Sequence, residues 1–446
     1  YRGLYSACAD AALEREPVLA SFRGGLFENK MRRFRALAQE FEQLTRQELA
    51  ARLSAKVPVH SGGIAASSEI GILQRAIRSG GRTMSIRRLF DSIPNLLRLL
   101  CPCMLMSPIS VAQYIDPQYP PFDLVIFDEA SQLPTCEAVG AIARGENVVV
   151  VGDPRQLPPT RFFMDARGVG DDPSQEDLES ILDDCLAISM PEEHLRWHYR
   201  SRHESLIAFS NRNFYGNQLY TFPSPSDRES RVSFVPVEGR YERGGARHNR
   251  AEAEAVTEEV LRRLADPALR RQSIGVVTFS AAQQELIEDL LLEAFAAHPE
   301  LEEPAAAEPL FVKNLENVQG DERDVILFSI GYGPDRSGRI ALNFGPLNRE
   351  GGWRRLNVAV SRARQEMKVY SSLRPEQIDL SRTHSEGVAA LRAFLEFAQS
   401  GAPAPDTPAQ SGRPGGRFAE QGAGHIPRMG YEVQTEGGRS GVPVGL

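Results

Sequence analysis

Five short apolar runs constrain this chain more than any other feature of its sequence. They are "CMLMS" (Cys103–Ser107), "LVIF" (Leu124–Phe127), "NVVVVG" (Asn147–Gly152), "SIGVVTFS" (Ser273–Ser280) and "DVILFSIGYG" (Asp324–Gly333). Apolar residues stand back to back in them, without the apolar–polar alternation of a sheet that faces water on one side. Such runs read as buried strands of a parallel sheet. Helix-like stretches at Ala251–Leu264 and Ala281–Ala297 fall between the later runs. The expected class is therefore α/β, in two units covering residues 101–165 and 166–398.

Residues 1–100 precede these units and read as helical. Between Leu26 and Lys56 there is no Gly or Pro, and Phe34, Leu37, Phe41, Leu44, Leu49 and Leu53 recur at helical spacing. This long amphipathic helix is expected either to pack with a solvated Arg/Glu face or to act as a stalk beside a nucleic-acid channel. A polar break at Ser61–Ser68 leads to two more helical patterns, Glu69–Arg78 and Ile86–Leu100, the second interrupted by Pro94. At the other end, Gln399–His425 is dense in Gly, Pro, Ala and Ser and reads as a flexible linker. The remaining tail, 426–446, is too short to bury a core.

Composition narrows the class. With 41% apolar and 25% charged residues in 446, the chain is expected to be soluble and cytoplasmic, in two or three domains. No apolar run approaches the ~20 residues that span a bilayer, and the first residues lack the sections of a signal peptide. The chain does not begin with Met, so further sequence is expected upstream. Its five cysteines are scattered, which suits reduced thiols. The net charge of −8 hides a basic stretch from Glu28 to Arg98, so binding to nucleic acid stays open.

Chemistry gathers at the strand ends. Asp128–Glu129 follow "LVIF", where an Asp can hold Mg²⁺ and a Glu can align and deprotonate a water. Gln156, in "VVVVGDPRQLPPT", sits past the next strand, and its amide can bond both a γ-phosphate oxygen and the attacking water. In "LRWHYRSRHESLIAFSN", Tyr199 offers a flat face to a base and Arg200 a fixed cation to phosphate. His194 and His198 are four apart, yet Leu195 stands where a zinc-protease pattern needs Glu. In "VQGDERD", Gly320 permits close backbone approach and Glu322 can accept from a ribose hydroxyl. Arg362 and Arg364 form an "RAR" pair, either of which could be a salt-bridging residue or a cation for transition-state charge.

Five blocks in this order, "DEAS", "GDPRQLPPT", "HYRSRHESLIAFSN", "VQGDERD" and "LNVAVSRAR", resemble motifs II to VI of the superfamily 1 helicases. The resemblance is to the group containing the nonsense-mediated-decay RNA helicase and related DNA helicase-nucleases, and covers about Pro102 to Leu373. It implies two RecA-like P-loop NTPase domains with parallel sheets, the first incomplete, plus an N-terminal helical insertion. It further implies ATP and Mg²⁺ as cofactors, single-stranded nucleic acid as partner, and an ATP-driven helicase or translocase activity. By this likeness Asp128 is the Mg²⁺ carboxylate, Glu129 the base, Gln156 the γ-phosphate sensor and Tyr199 the adenine-stacking ring. Arg200 and Arg362 would face the γ-phosphate, Gly320 and Glu322 the phosphates and ribose, and Thr278, Ser280 and Asn314 the nucleic acid.

"MSPISVAQY", "LNFGPLNREGGWRRLNVA" and "LRPEQIDLSR" are similar to large bacterial helicase-like proteins ending in a very-short-patch-repair-type nuclease domain. That tilts the expected substrate toward DNA. The module would stop here before any catalytic acid, so no nuclease activity is expected. Two departures stand out. Asn314 occupies a position that is often Ser or Thr in motif V, and no G-x-x-x-x-G-K-S/T loop precedes Asp128. In the nearest imitation, "GGLFENKM" from Gly24, Asn29 replaces the second Gly and Met31 the hydroxyl residue, so it reads as the start of a helix. The chain alone is thus expected to hydrolyse ATP poorly. The alternative is a nucleic-acid-binding or scaffolding module that has lost catalysis.

Overall fold

A continuous apolar strand needs cover on both faces, and two of the five runs receive it. In the computed structural model, "SIGVVTFS" forms β6 (Ile274–Thr278) and "DVILFSIGYG" forms β8 (Arg323–Ser329), the central pair of a five-stranded parallel sheet. The structure describes residues 2–15, 23–58, 65–82, 84–159, 180–222, 224, 229–302 and 308–401. The linker beyond 401, the 426–446 tail, Ser61–Ile64 of the polar break and residues 160–179 lie outside the described residues.

The chain divides into two units. The first takes in Tyr1–Val125 and Cys136–Val148. Its helices are Arg2–Arg15, Gly24–Lys56, Glu69–Arg78, Ile86–Ser92, Pro94–Leu100 and Pro108–Tyr114, with most of Thr135–Ile142. Serines start three of them: Ser68, Ser85 and Ser107 each accept a backbone N–H of the first turn. Pro94 ends one helix and begins the next, where its missing N–H costs nothing. Ile93, Leu96, Leu97, Ile115 and Tyr119 make a small core. The 33-residue helix Gly24–Lys56 buries none of its side chains, with Phe34 and Phe41 over 70% exposed. Gly24 to Met31 is its first two turns, not a loop.

The second unit takes in Ile126–Thr135 and Val149–Leu446. The "LVIF" and "NVVVVG" runs give the three-residue strands β1 (Val125–Phe127) and β2 (Val148–Val150), joined in a two-stranded sheet. Two-residue strands β3 (Trp197–His198) and β4 (Tyr220–Thr221) pair in parallel. The main sheet has the order β5-β9-β8-β6-β7, with β5 (Val232–Pro236), β7 (Phe311–Asn314) and β9 (Ala363–Ser371) added to the central pair. Every pairing in it is parallel. Helices Arg250–Ala265 and Ala281–Ala297 pack with Ile274, Val276, Val325 and Leu327 on one face. Ser205–Phe214, Trp353–Val360 and Glu386–Ser400 pack with Val277, Ile326 and Phe328 on the other. Gly275 lets Phe311 lie on β6: an added Cβ would stand 2.4 Å from that ring.

The α/β class and the parallel sheets follow the sequence reading, and two details do not. "CMLMS" makes no strand, and its Leu105 is 96% exposed, because no strand pairs with it and Ser107 instead caps a helix. β1 and β2 are not buried on both faces. Ile126, Val149 and Val151 stay 62%, 44% and 40% exposed, since two paired strands alone offer little cover.

Candidate nucleotide site

β1 delivers its carboxylates through a strained turn. Phe127 is buried, Asp128 and Glu129 are exposed, and Ala130 is fully buried with its N–H on Val151 O at 2.9 Å. Glu129 takes φ 52°, ψ 38°, a left-handed conformation uncommon outside Gly. Gly152 makes room for this turn, since a Cβ there would meet Ser131 N at 3.0 Å. The Asp128 carboxylate accepts only the Glu129 N–H, at 3.0 Å, among the described residues.

Glu129 is held from far along the chain. Gln319 Nε2 donates to Glu129 Oε2 at 2.8 Å, while Gln319 Oε1 accepts the Leu157 N–H at 3.2 Å. One side chain therefore ties the strand-end carboxylate to the loop after β2. In that loop Gln156 Nε2 donates to Asp153 Oδ2 at 2.9 Å, and Tyr215 Oη donates to the same oxygen at 2.7 Å. Asn357 Nδ2 donates to Tyr215 Oη at 3.0 Å.

The arginines of the second half have separate fates. Arg200 is ion-paired with Glu322 and reaches Ser361 O at 3.5 Å. Burial would raise the Glu322 carboxyl, but the Arg200 bond and the charges of Arg200, Arg364 and Arg362 outweigh it and hold the group low. Arg364 is surrounded by acids: Glu308 pairs with it, Asp324 lies at 3.7 Å and Glu322 at 3.9 Å. Arg362 has none. Only 2% exposed, it donates to Val358 O at 2.7 Å and Ser361 Oγ at 3.2 Å, and no carboxylate of the described residues lies within 4.0 Å. Burial, then the Arg200 charge, depress it to about 10 against the opposing pull of Tyr215, Glu129 and Glu322. The two arginines of "RAR" thus differ: Arg364 is neutralised by neighbouring carboxylates, whereas Arg362 is a buried guanidinium with none of the described residues' carboxylates within 4.0 Å.

His198 belongs to the same cluster. Burial, with the charges of Arg200 and Arg362, lowers its pKa to about 4, and its Nε2 meets Ser201 Oγ at 2.9 Å. Tyr199, just after β3, is 85% exposed, and Gly320 takes φ +86° with open space where a Cβ would stand.

Thr278, Ser280 and Asn314 are elsewhere. Thr278 and Asn314 pair in register at the carboxyl ends of β6 and β7, whereas Glu322 and Arg362 immediately precede β8 and β9. The sheet thus separates the two expected groups at opposite edges. Thr278 is fully buried and donates to Ser280 O at 3.0 Å. Ser280 caps the helix Ala281–Ala297, and Asn314 donates to Gln284 Oε1 at 3.0 Å.

Gln319, Asp153, Tyr215 and Asn357 escape the sequence reading. A Gln beside a Gly in "VQGDERD" and a Tyr beside a Gly in "NFYGN" are weak signals, and only the fold gives them partners.

Two family models, each described as an AAA domain, match residues 107–163 and 178–373. An uncharacterized ATP-dependent helicase, MG140 of Mycoplasma genitalium, is 33% identical over 323 residues, covering 69% of this chain and 28% of that protein. The 5'-3' DNA helicase ZGRF1 of Mus musculus is 29% identical over 263 residues, 56% of this chain and 13% of that protein. The probable helicase senataxin of Homo sapiens is 25% identical over 272 residues, 57% of this chain and 10% of its own length. Among solved structures, Arterivirus nonstructural protein 10 (helicase) in complex with DNA is similar with 16% identity and a TM-score of 0.28, covering 57% of this chain and 42% of that one. The chain spans 28% or less of the three curated relatives named.

Proposed function

The chain is superfamily 1 helicase-like, and on that premise we propose that it forms part of an ATP-driven helicase or translocase. The proposed track is single-stranded nucleic acid, DNA ahead of RNA, in the cytoplasm. No helix among the described residues is long and apolar enough to cross a membrane. The observation that carries the reading is Arg362: a buried guanidinium with no carboxylate of the described residues within 4.0 Å, beside Arg200 and within electrostatic reach of Glu129. A buried cation left unpaired is costly unless an anion comes to it. A γ-phosphate is such an anion.

Mg²⁺ takes one or two carboxylates and completes its shell with water and substrate phosphates. A single exposed Asp128 carboxylate at a strand end fits that donor set, and among the described residues no cluster offers a fuller cage. Bound there, the ion would neutralise charge on the phosphates. Glu129 would take the proton of the attacking water as its oxygen approaches the γ-phosphorus. Gln156 would orient that water and the departing phosphoryl group, and Arg200 and Arg362 would stabilise the charge that spreads over its oxygens. Tyr199, flat and exposed, would stack the adenine. Gly320 leaves backbone room for phosphate, and Glu322, with Oε2 on Arg200 and Oε1 3.9 Å from Arg364, would turn Oε1 to the ribose. Closure on ATP and opening after hydrolysis would step a strand past Thr278, Ser280 and Asn314.

Gly24–Met31 is helical and forms no glycine-rich phosphate loop. Two measurements test the reading. The chain alone should turn over ATP far below the ~1–100 s⁻¹ of such phosphoryl-transfer enzymes. Extended upstream through a G-x-x-x-x-G-K-S/T loop, it should reach that range when single strands are added. An extended protein that binds strands without strand-stimulated turnover would instead be the scaffolding module.

A further inference from the structure

Gln156 is not free to point where it will. Asp153 organises its loop, accepting Arg155 N–H at 2.8 Å on one oxygen and both Gln156 Nε2 and Tyr215 Oη on the other. Tyr215 stands at the end of the helix Ser205–Phe214, and its hydroxyl accepts in turn from Asn357 Nδ2. Asn357, 1% exposed, gives its second N–H to Arg155 O at 2.8 Å. The two bonds therefore bracket the loop, one to its backbone and one through Tyr215 to its carboxylate. A third contact lies one turn away: Trp353 stacks on Phe214 at 5.1 Å, and the Arg155 guanidinium sits 6.0 Å from the centre of the Trp353 ring. Both Trp353 and Asn357 belong to the helix Trp353–Val360, which runs directly into Ser361 and Arg362.

The chain of contacts has one end at Gln156 and the other at the helix that presents Arg362. We propose that Tyr215 and Asn357 are positioning residues that couple the γ-phosphate sensor to the arginine helix, so that a change at Gln156 is passed to Arg362. This rests on the roles proposed above for those two residues. The coupling has slack built into it. Asn357 Oδ1 is buried and accepts no hydrogen bond among the described residues, so its amide can gain a donor if the loop shifts. Burial and the adjacent Asp153 carboxylate raise the Tyr215 phenol well above its ordinary value, which keeps it a donor to Asp153 at any working pH.

The test uses the full-length protein with Tyr215→Phe, which removes one hydroxyl, and Asn357→Ala. ATP turnover is measured with and without oligo-dT, and the ratio of the two is the readout, because a reduced folded fraction cancels from it. Each single variant should lower the stimulation ratio about tenfold with KM for ATP within about twofold, the pattern of a lost transition-state effect. The double variant should be no worse than either single, since one relay can be cut only once. A ratio unchanged in Tyr215→Phe, or a double variant losing the product of the single effects, overturns the proposal. A wild-type protein without strand-stimulated turnover overturns the functional reading, and this coupling with it.

Discussion

Gln319 donates to Glu129 at 2.8 Å across 190 residues of sequence, and with its other end accepts the backbone N–H of Leu157. A carboxylate in a left-handed turn at an exposed strand end has many orientations open to it. The amide selects one, and fixes it relative to the loop that carries Gln156.

On the proposed reading, Gln319→Ala should therefore lower kcat by roughly tenfold with little change in KM, because Glu129, the proposed base, is misaligned while substrate contacts remain. Gln319→Glu should be worse. It keeps the shape but sets a carboxylate against a carboxylate and removes the donor. Steady-state kinetics on the full-length protein decide: a raised KM at unchanged kcat would move Gln319 from holding Glu129 to binding nucleotide.

Arg362→Ala and Arg364→Ala should separate stability from activity. Arg364 is the arginine partner of Glu308 and Asp324, whereas Glu322 keeps Arg200, so its loss strands two partly buried acids and should cost about 2 kcal/mol in urea denaturation. Arg362 has no carboxylate of the described residues within 4.0 Å to strand, so the cost of its removal is confined to lost packing and to the acceptors Val358 O and Ser361 Oγ. If Arg362 faces the γ-phosphate as proposed, its loss should nonetheless lower turnover by ~10³-fold or more, as for arginines facing a transferred phosphoryl group. Equal effects of the two variants on both measurements would remove the distinction drawn between them.

Acid should loosen the unit through Glu259. Burial favours its neutral form, but bonds from Arg262, Lys368 and Arg263 prevail and lower its pKa from 4.5 to about 2. A carboxyl depressed on folding contributes stability above its unfolded value and loses it as pH falls through the folded one. The contribution is thus present above about pH 4.5 and fades toward pH 2. Each tenfold change in proton affinity is worth ~1.4 kcal/mol. Solvent screens the half-exposed Arg262 partner, so Glu259→Gln should cost about 2 kcal/mol at pH 7, less than the full linkage value. The gap to wild type should close as the pH is lowered through that window. Parallel denaturation curves at several pH values would show whether it does.

The sequence suffices for some of this and not for the rest. β6 and β8 are legible because their apolar runs are long enough to need cover on both sides. Asp128, Glu129 and Gln156 can be placed at neighbouring strand ends because those runs end abruptly in polar turns. The exposure of β1 and β2 is hidden, since a run of Val looks the same whether or not a layer packs on it. Nor can sequence separate Arg362 from Arg364, two residues apart. The difference lies in Glu308 and Asp324, brought to one of them by other strands. Gln319 and Asn357 are ordinary amides until the fold supplies partners 190 and 142 residues away.

β8 reaches from Glu322, just before its first residue, to Ser329, paired with Thr278 at the far edge. At ~3.3 Å per residue that is a stiff plank of roughly 20 Å, fully buried over its last five positions. A buried strand flanked by strands on both sides does not bend on demand, so motion at one edge becomes rotation of the whole. Tilting a lever of roughly 20 Å by about 10° moves its tip about 3.5 Å, close to the ~3.4 Å spacing per nucleotide along one strand of duplex DNA. On the proposed reading, one nucleotide of travel would need only a small turn at the phosphate end.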